Sequence, residues 1–133
     1  MGALKTLLAA SVLCVAVTAP AMAYENLSGV WQGVYWGPSN QAVEFQATIT
    51  DVPGPGFTGS IVEPNTFGDP ASPMLLATLQ GRAAGESVSF TKTYDGTAGQ
   101  SHTVQYTGTL LSDRHIVGTW SLAGATGQFE LAR

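Results

Sequence analysis

Cysteine is almost absent from this chain. The single cysteine, Cys14, lies in an apolar N-terminal run and has no second cysteine to pair with. An intramolecular disulfide is therefore excluded. The folded domain has to be held together by packing and by backbone hydrogen bonds alone.

Basic residues are also scarce. Five Lys and Arg residues stand against nine Asp and Glu residues, which gives a net charge of -4. Proteins that bind nucleic acid or anionic membranes do so through clustered Lys and Arg side chains. We therefore expect neither nucleic acid nor a membrane surface as a partner.

Long hydrophobic runs are missing as well, and the one notable run is N-terminal. Residues 1–23 combine an early Lys5, an apolar run over 7–17 and a small-x-small cleavage sequence ending at Ala23. This pattern predicts a secretory signal peptide that is cleaved after Ala23. No run approaches the roughly 18 apolar residues that a membrane span needs.

A lipoprotein signal is the alternative for the same segment, with Cys14 as the acylated residue. Leu13 precedes that cysteine, where a small residue would be expected. We therefore expect residues 24–133 to be one secreted or periplasmic domain that has no membrane attachment after cleavage. This length is sufficient for a single hydrophobic core.

Helical periodicity is absent after the N-terminal run. The chain has 16 glycines and many threonines, which favour turns and strands over helices. Apolar residues recur at every second position, as in strands with one buried face. Eight strands are predicted, at residues 29–36, 42–51, 57–63, 74–82, 86–94, 102–111, 114–122 and 126–133.

The connections between these strands are mostly short and rich in turn residues, which predicts antiparallel neighbours in an up-and-down order. Pairing the last strand with the first removes both exposed edges. We therefore predict an all-β fold, an eight-stranded antiparallel up-and-down β-barrel, with a flattened sandwich as the alternative. Four glycines on the inward face permit tight coiling at one end, the predicted closed end. They are Gly29, Gly59, Gly81 and Gly108.

Polar side chains fall on the inward face near the opposite, predicted open end, which also carries the loops 64–73 and 95–101. A lone buried ammonium is prohibitive, but a paired one near a barrel mouth is tolerable. Glu63 is the obvious partner for Lys92, and the alternative is that both side chains extend to solvent at the rim. The inward polar set is Tyr35, Glu63, Lys92, Tyr94 and His102, with Tyr106 deeper in the lumen.

Apolar walls with a few placed polar groups are typical of a ligand pocket. Trp31, Phe90, Tyr106 and Trp120 are the predicted walls. We therefore predict a protein that binds a small, partly apolar molecule, with no catalytic residue and no cofactor. A metal site is not expected, because His102 and His115 fall on opposite faces of their strands.

Two other functions remain open at this point. The first is a small isomerase or cyclase that uses His102 or Glu63 as a base. The second is a protein-interaction or structural barrel whose lumen is filled by its own side chains. The sequence is compatible with a monomer or with a homo-oligomer.

Six strand segments carry a family resemblance. They are LSGVW at 27–31, FTGSIVE at 57–63, LQGR at 79–82, VSFTKTY at 88–94, VQYTGTL at 104–110 and IVGTWSL at 116–122. Their order and spacing resemble the avidin–streptavidin family, within the calycin barrels that include the lipocalins. The resemblance implies a closed barrel whose ligand enters beside the third-to-fourth and fifth-to-sixth strand loops.

The biotin contacts of that family match poorly. Gly33 stands where the family has an asparagine, and Ile61 stands where it has a tyrosine. Two tryptophan walls correspond to Phe90 and Tyr106, which remain aromatic. The resemblance therefore implies the fold and the pocket location rather than biotin as the ligand.

Overall fold

The computed structural model describes residues 26–133, so the predicted signal peptide and Cys14 lie outside the described residues. The described chain forms eight strands and one single-turn 3-10 helix, Thr97–Gly99. The strands are β1 (Gly29–Trp36), β2 (Ala42–Asp51), β3 (Gly56–Pro64), β4 (Met74–Ala84), β5 (Ser87–Tyr94), β6 (Thr103–Ser112), β7 (His115–Leu122) and β8 (Ala125–Ala132). Among the described residues, none belongs to a helix with the length and apolar character needed to cross a membrane.

The strands close into a barrel in sequence order. Every neighbouring pair is antiparallel, and β1 pairs with both β2 and β8. The β1–β8 register runs from Gln32 opposite Ala132 to Tyr35 opposite Phe129. The predicted eight-stranded up-and-down barrel is therefore confirmed, and every predicted strand boundary lies within two residues of the observed one.

The alternation of buried and exposed side chains explains why these segments form strands. In β2, Val43, Phe45, Ala47 and Ile49 are buried, while the residues between them are exposed. Successive side chains of a strand point to opposite faces, so this spacing lines the lumen with apolar groups. The outward positions are largely Thr, Ser and Gln, which suit a solvated sheet surface.

Glycine allows neighbouring strands to coil tightly around the lumen. At Gly118 in β7, an added Cβ would meet the backbone carbonyl oxygen of Thr107 and would lie 2.5 Å from the Cα of Gly108. Both atoms belong to the backbone of β6, which cannot turn aside as a flexible side chain can. A side chain at Gly118 would therefore push the two strands apart.

The closed end of the barrel is sealed by an arginine and a tryptophan. The indole Nε1 of Trp31 donates to the carbonyl of Leu27 at 2.9 Å. The guanidinium of Arg133 lies over the Trp31 ring, 4.4 Å from its centroid, and donates to the carbonyl oxygens of Asn26, Ser28 and Asp113. This contact joins both ends of the described chain at the closed end.

At the open end, the β3–β4 loop is held by its own hydrogen bonds. The amide of Asn65 donates to the carbonyls of Asp69 and Ser72, and its side-chain oxygen accepts from the backbone N–H of Gly68. The backbone N–H of Asp69 donates to the carbonyl of Ala98 in the β5–β6 connection. The two longest loops of the open end are therefore tied to each other.

Candidate ligand-binding site

A buried ion pair lies inside the barrel near its open end. Glu63 points inward from β3 and Lys92 points inward from β5, on either side of β4. Their Oε1 and Nζ atoms are 2.5 Å apart, and both side chains are 0% exposed. The predicted pairing is present, and neither side chain extends to solvent at the rim.

Two tyrosines complete the hydrogen bonding of Glu63. The hydroxyls of Tyr35 and Tyr94 donate to Oε2 of Glu63 at 2.9 and 3.0 Å. Together with Lys92, they give the carboxylate three donors. A buried charge pair is tolerated when its remaining hydrogen-bonding capacity is satisfied in this way.

Aromatic rings surround the ammonium group of Lys92. Its Nζ lies 4.6 Å from the ring centroid of Tyr94, 4.9 Å from Tyr35, 5.4 Å from Phe45 and 5.9 Å from Tyr106. The faces of aromatic rings attract cations, which offsets part of the cost of desolvating the ammonium. Nζ thus lies in a box of four rings and one carboxylate.

Phe45 is a member of this box that the sequence did not single out. Its ring occupies the space opposite Gly33 on the paired strand, where an added Cβ would lie only 2.6 Å from Cε2 of the ring. The absence of a side chain at Gly33 therefore leaves room for the Phe45 ring beside the ammonium of Lys92. Gly33 is also the position at which the avidin–streptavidin family has an asparagine.

Burial shifts the pKa values of this network. Desolvation lowers the pKa of Lys92, while the charge of Glu63 opposes that shift. Desolvation raises the pKa of Tyr35, Tyr94 and Tyr106 well above the ordinary range, and the negative charge of Glu63 adds to all three shifts. At neutral pH the three phenols therefore stay protonated, and those of Tyr35 and Tyr94 donate to Glu63.

A cavity of about 90 Å³ lies beside this network at the open end. Phe67, from the β3–β4 loop, forms its outer side, edge-on to Tyr94 at 5.6 Å and 5.8 Å from the His102 ring. Phe67 is 46% exposed, so its ring lies at the boundary between the cavity and solvent. The lining residues are Tyr35, Phe67, Tyr94, His102, Val104, Tyr106, Trp120 and Leu122.

Sequence reasoning did not single out Phe67, because loop positions carry no periodic signal. Of the predicted site residues, five line the cavity: Tyr35, Tyr94, His102, Tyr106 and Trp120. Glu63 and Lys92 lie behind the tyrosines that face the cavity, and Phe90 stacks on the far side of Tyr106 at 4.6 Å. Trp31 lies at the closed end, apart from the others.

The hydrogen-bonding capacity that faces the cavity is limited. The indole Nε1 of Trp120 donates to the carbonyl of Trp36, and Tyr35 and Tyr94 donate to Glu63. Tyr106 makes no side-chain hydrogen bond within residues 26–133 and lines the cavity, so its hydroxyl is available to a ligand. The same part of the chain contains no cluster of His, Cys, Asp and Glu that could hold a metal ion.

No protein-family model and no curated protein matches the sequence. Among solved structures, the chain is similar to a redesigned β-barrel, mFAP1, bound to DFHBI, with a TM-score of 0.68 and 13% identity over 85% of this chain and 100% of that chain. A redesigned barrel named b11L5F_LGL gives a TM-score of 0.65 at 16% identity, over 87% of this chain and 98% of that one. A de novo designed fluorescence-activating β-barrel gives 0.59 at 9% identity, over 80% and 92%.

These similarities show the fold of the chain, a closed β-barrel. The neighbours are designed barrels and not members of the avidin–streptavidin family. The comparisons therefore support the architecture predicted from the sequence and do not support that particular family.

Proposed function

We propose that this chain is an exported, non-enzymatic barrel that binds a small, partly apolar molecule at its open end. The proposal rests on the aromatic-lined cavity at the mouth. A polar network whose members are all hydrogen-bonded lies directly behind the tyrosines that line it. Small-molecule sites combine apolar walls with a few fixed polar groups in this manner. The designed neighbour mFAP1 is bound to DFHBI, which supports ligand binding by a barrel of this fold.

The buried network gives the site rigidity rather than direct ligand contacts. Glu63 fixes the hydroxyls of Tyr35 and Tyr94, and Lys92 fixes Glu63. Walls that are held in place before binding lose little conformational entropy when the ligand arrives. In this role Lys92 and Glu63 position the tyrosines that contact the ligand.

The same geometry favours binding over base catalysis by Glu63. Its carboxylate already accepts hydrogen bonds from Lys92, Tyr35 and Tyr94, and it is fully buried. A general base must reach the proton that it removes from the substrate. The ring of His102 packs against Tyr94 and Phe67 at the cavity wall, where it can form a ligand hydrogen bond.

The avidin–streptavidin resemblance agrees with this location of the ligand, beside the β3–β4 and β5–β6 loops. We do not propose biotin, because Gly33 and Ile61 replace two of the residues that contact biotin in that family. Ile61 is buried in the core, and Gly33 is covered by the ring of Phe45. Neither position offers a polar group to a ligand.

A second candidate function is a protein-interaction or structural barrel with a filled lumen. The cavity of about 90 Å³ lies below the roughly 300 Å³ of ordinary ligand pockets, which favours this alternative. Met74 and Leu76 are also 37% and 40% exposed on the outer wall, beside Val62. In this alternative the outer wall contacts a partner protein and the ion pair serves only the core.

Native mass spectrometry of protein purified from its own host separates these two functions. We expect the folded chain to retain a small molecule whose mass appears on the protein and disappears on denaturation. The variant Val104→Phe places a larger side chain in the cavity wall and should abolish the retained mass. Val30→Phe, at an exposed position near the closed end, should retain it and serves as the matched control.

Absence of any retained mass, together with no change in tryptophan fluorescence on addition of small neutral compounds, would favour the filled barrel instead. Trp120 lines the cavity, so ligand binding there should alter its emission. The same spectrum gives the number of subunits. A retained mass that persists in Val104→Phe would place the ligand elsewhere on the barrel.

A further inference from the structure

The distribution of positive charge restricts what can bind at the open end. Among residues 26–133, the arginines Arg82, Arg114 and Arg133 lie toward the closed end or its turns. Lys92 is the remaining cation other than histidine, and it is buried against Glu63. An anionic ligand would therefore enter a low-dielectric cavity without a free lysine or arginine to balance its charge.

A cationic ligand would likewise enter the cavity without a free carboxylate to balance its charge. Glu63 is occupied by Lys92 and two tyrosines. The rim carboxylates Asp69 and Asp95 accept hydrogen bonds from the backbone N–H groups of Ala71 and Thr97, and neither carboxylate lines the cavity. The ring walls alone would have to compensate for desolvating the cation, so both signs of charge are disfavoured.

Two directional groups remain for a ligand, the imidazole of His102 beside Phe67 and the more deeply buried hydroxyl of Tyr106. The Tyr106 ring stacks on Phe90 with an interplanar angle of 7° and meets Phe129 edge-on at 5.0 Å. These contacts fix the ring, so the hydroxyl is presented to the cavity in one orientation. Burial raises the pKa of Tyr106, which keeps the hydroxyl protonated and therefore able to donate.

The cavity is smaller than an aromatic ligand needs, so a side chain at its mouth has to move for such a ligand to enter. A cavity of about 150 Å³ is known to hold benzene, whereas this one measures about 90 Å³. A planar ring therefore requires a lining side chain to move, and Phe67 is the most exposed of the lining residues. The backbone around Phe67 is pinned through Asn65, but the ring itself is almost half exposed and can change rotamer.

We infer, on the basis of the proposed binding function, that the ligand is an uncharged compact aromatic molecule bearing one hydrogen-bond acceptor. The hydroxyl of Tyr106 donates to that acceptor. The ligand ring lies against Trp120 and takes the place from which the Phe67 ring swings outward. Ligands of this class are neutral, and they have a flat apolar body with a carbonyl-like oxygen.

Three probes of nearly equal shape test the charge requirement: benzamide, benzoate and benzamidinium at neutral pH. Binding is measured by tryptophan fluorescence and by ligand-observed NMR on the complete folded chain. We expect benzamide to bind at least tenfold more tightly than either charged probe, because each charged probe would be buried without a partner.

Two variants test the assigned contacts. Tyr106→Phe removes the donor and keeps the stacked ring, so it should weaken benzamide binding about fivefold, as the loss of one neutral hydrogen bond does. Phe67→Ala enlarges the mouth and should increase the association rate of benzamide. Leu111→Ala, at an exposed position near the closed end, is the matched control and should change neither quantity.

The outcomes separate this inference from the function on which it rests. Benzoate or benzamidinium binding as tightly as benzamide would overturn the neutral class and leave a small-molecule site in place. Unchanged benzamide affinity in Tyr106→Phe would overturn the assigned donor. Failure of all three probes to bind both the wild type and Phe67→Ala would overturn the inferred ligand class, whereas the proposed binding function falls only if native mass spectrometry also finds no retained molecule.

Discussion

Lys92 is the residue on which the inner structure of the barrel depends most. Its ammonium is entirely buried, contacts Glu63 and lies within 6 Å of four ring centroids. Desolvating the ammonium and the carboxylate is costly, and their attraction compensates only because both are present with good geometry. The stability of the barrel should therefore respond far more to the loss of one partner than to the loss of both.

A double-mutant cycle tests this dependence. Lys92→Met alone leaves the Glu63 carboxylate buried without a counter-charge and should lower the free energy of unfolding by about 3–5 kcal/mol. The double variant Lys92→Met/Glu63→Gln keeps an acceptor for Tyr35 and Tyr94 without the charge. It should be more stable than Lys92→Met alone, with a coupling energy of about 2 kcal/mol or more.

Denaturation in urea measures each free energy of unfolding. Arg114→Met is the matched control, because Arg114 is exposed in the β6–β7 turn and should cost less than about 0.5 kcal/mol. Additive costs in the cycle would mean that the ion pair contributes no coupling and that Lys92 is tolerated for another reason.

At the residue scale, the sequence predicted part of this arrangement. Period-two alternation placed Lys92 and Glu63 on the inward face, and the need to pair a buried ammonium identified them as partners. The shared acceptor of Tyr35 and Tyr94, Oε2 of Glu63, was not predictable, because it depends on the stagger of non-adjacent strands. The position of Phe45 beside Lys92 was not predictable for the same reason.

At the scale of elements, glycine at Gly118 controls how closely β6 and β7 approach. An added methyl would press against the backbone of β6, which cannot move independently of its neighbours. Gly118→Ala should therefore lower the free energy of unfolding by about 1–3 kcal/mol, the usual cost of overpacking. Thermal unfolding followed by circular dichroism measures the effect.

Gly37→Ala is the matched control for this substitution. An added Cβ at Gly37 would meet only the flexible side chain of Gln41, at 3.1 Å, which can move aside. The melting temperature of this variant should stay close to that of the wild type. An equal fall in melting temperature in the two variants would show that the close approach of β6 and β7 does not require a glycine at position 118.

Element boundaries were the most predictable feature of this chain. Turn residues separate the strands, and alternation within each strand leaves little freedom in register. The β3–β4 loop was not predictable beyond its length. Its shape follows from the Asn65 amide and from a backbone hydrogen bond between Asp69 and Ala98, and no local pattern signals either contact.

At the scale of the whole molecule, burial of the tyrosines predicts alkaline sensitivity. The pKa values of Tyr35, Tyr94 and Tyr106 are raised in the folded state, so above pH ~10 the unfolded chain releases protons that the folded chain retains. Their contribution to stability is complete below that pH and is lost as the pH rises further. The lowered pKa of Lys92 acts in the opposite sense, but only below the ordinary lysine pKa of about 10.4, because above it the unfolded chain no longer holds that proton.

Absorbance of ionised phenol, followed together with circular dichroism, tests this expectation. Tyr24 lies outside the described residues, so the variant Tyr24→Phe leaves only the three barrel tyrosines to report. We expect their ionisation to coincide with alkaline unfolding. Phenol ionisation near pH ~10 with an intact dichroism signal would contradict the burial of these hydroxyls.

Closure of the barrel was predictable from the sequence because eight amphipathic strands would otherwise leave two exposed edges. The size of the lumen was not, since it depends on how rings from opposite walls interdigitate. Phe90, Tyr106 and Phe129 pack against one another and fill much of the interior, which leaves the cavity near the mouth.

The contact of Arg133 with Asn26 and Ser28 has a practical consequence for rearranging the chain. Because the first and last described residues of the chain meet at the closed end of the barrel, a short linker can join them without crossing the lumen. New termini can then be opened in the β1–β2 turn at residues 37–41. Such a circular permutant should keep every strand pairing, and the order of the strands along the polypeptide would become an experimental variable.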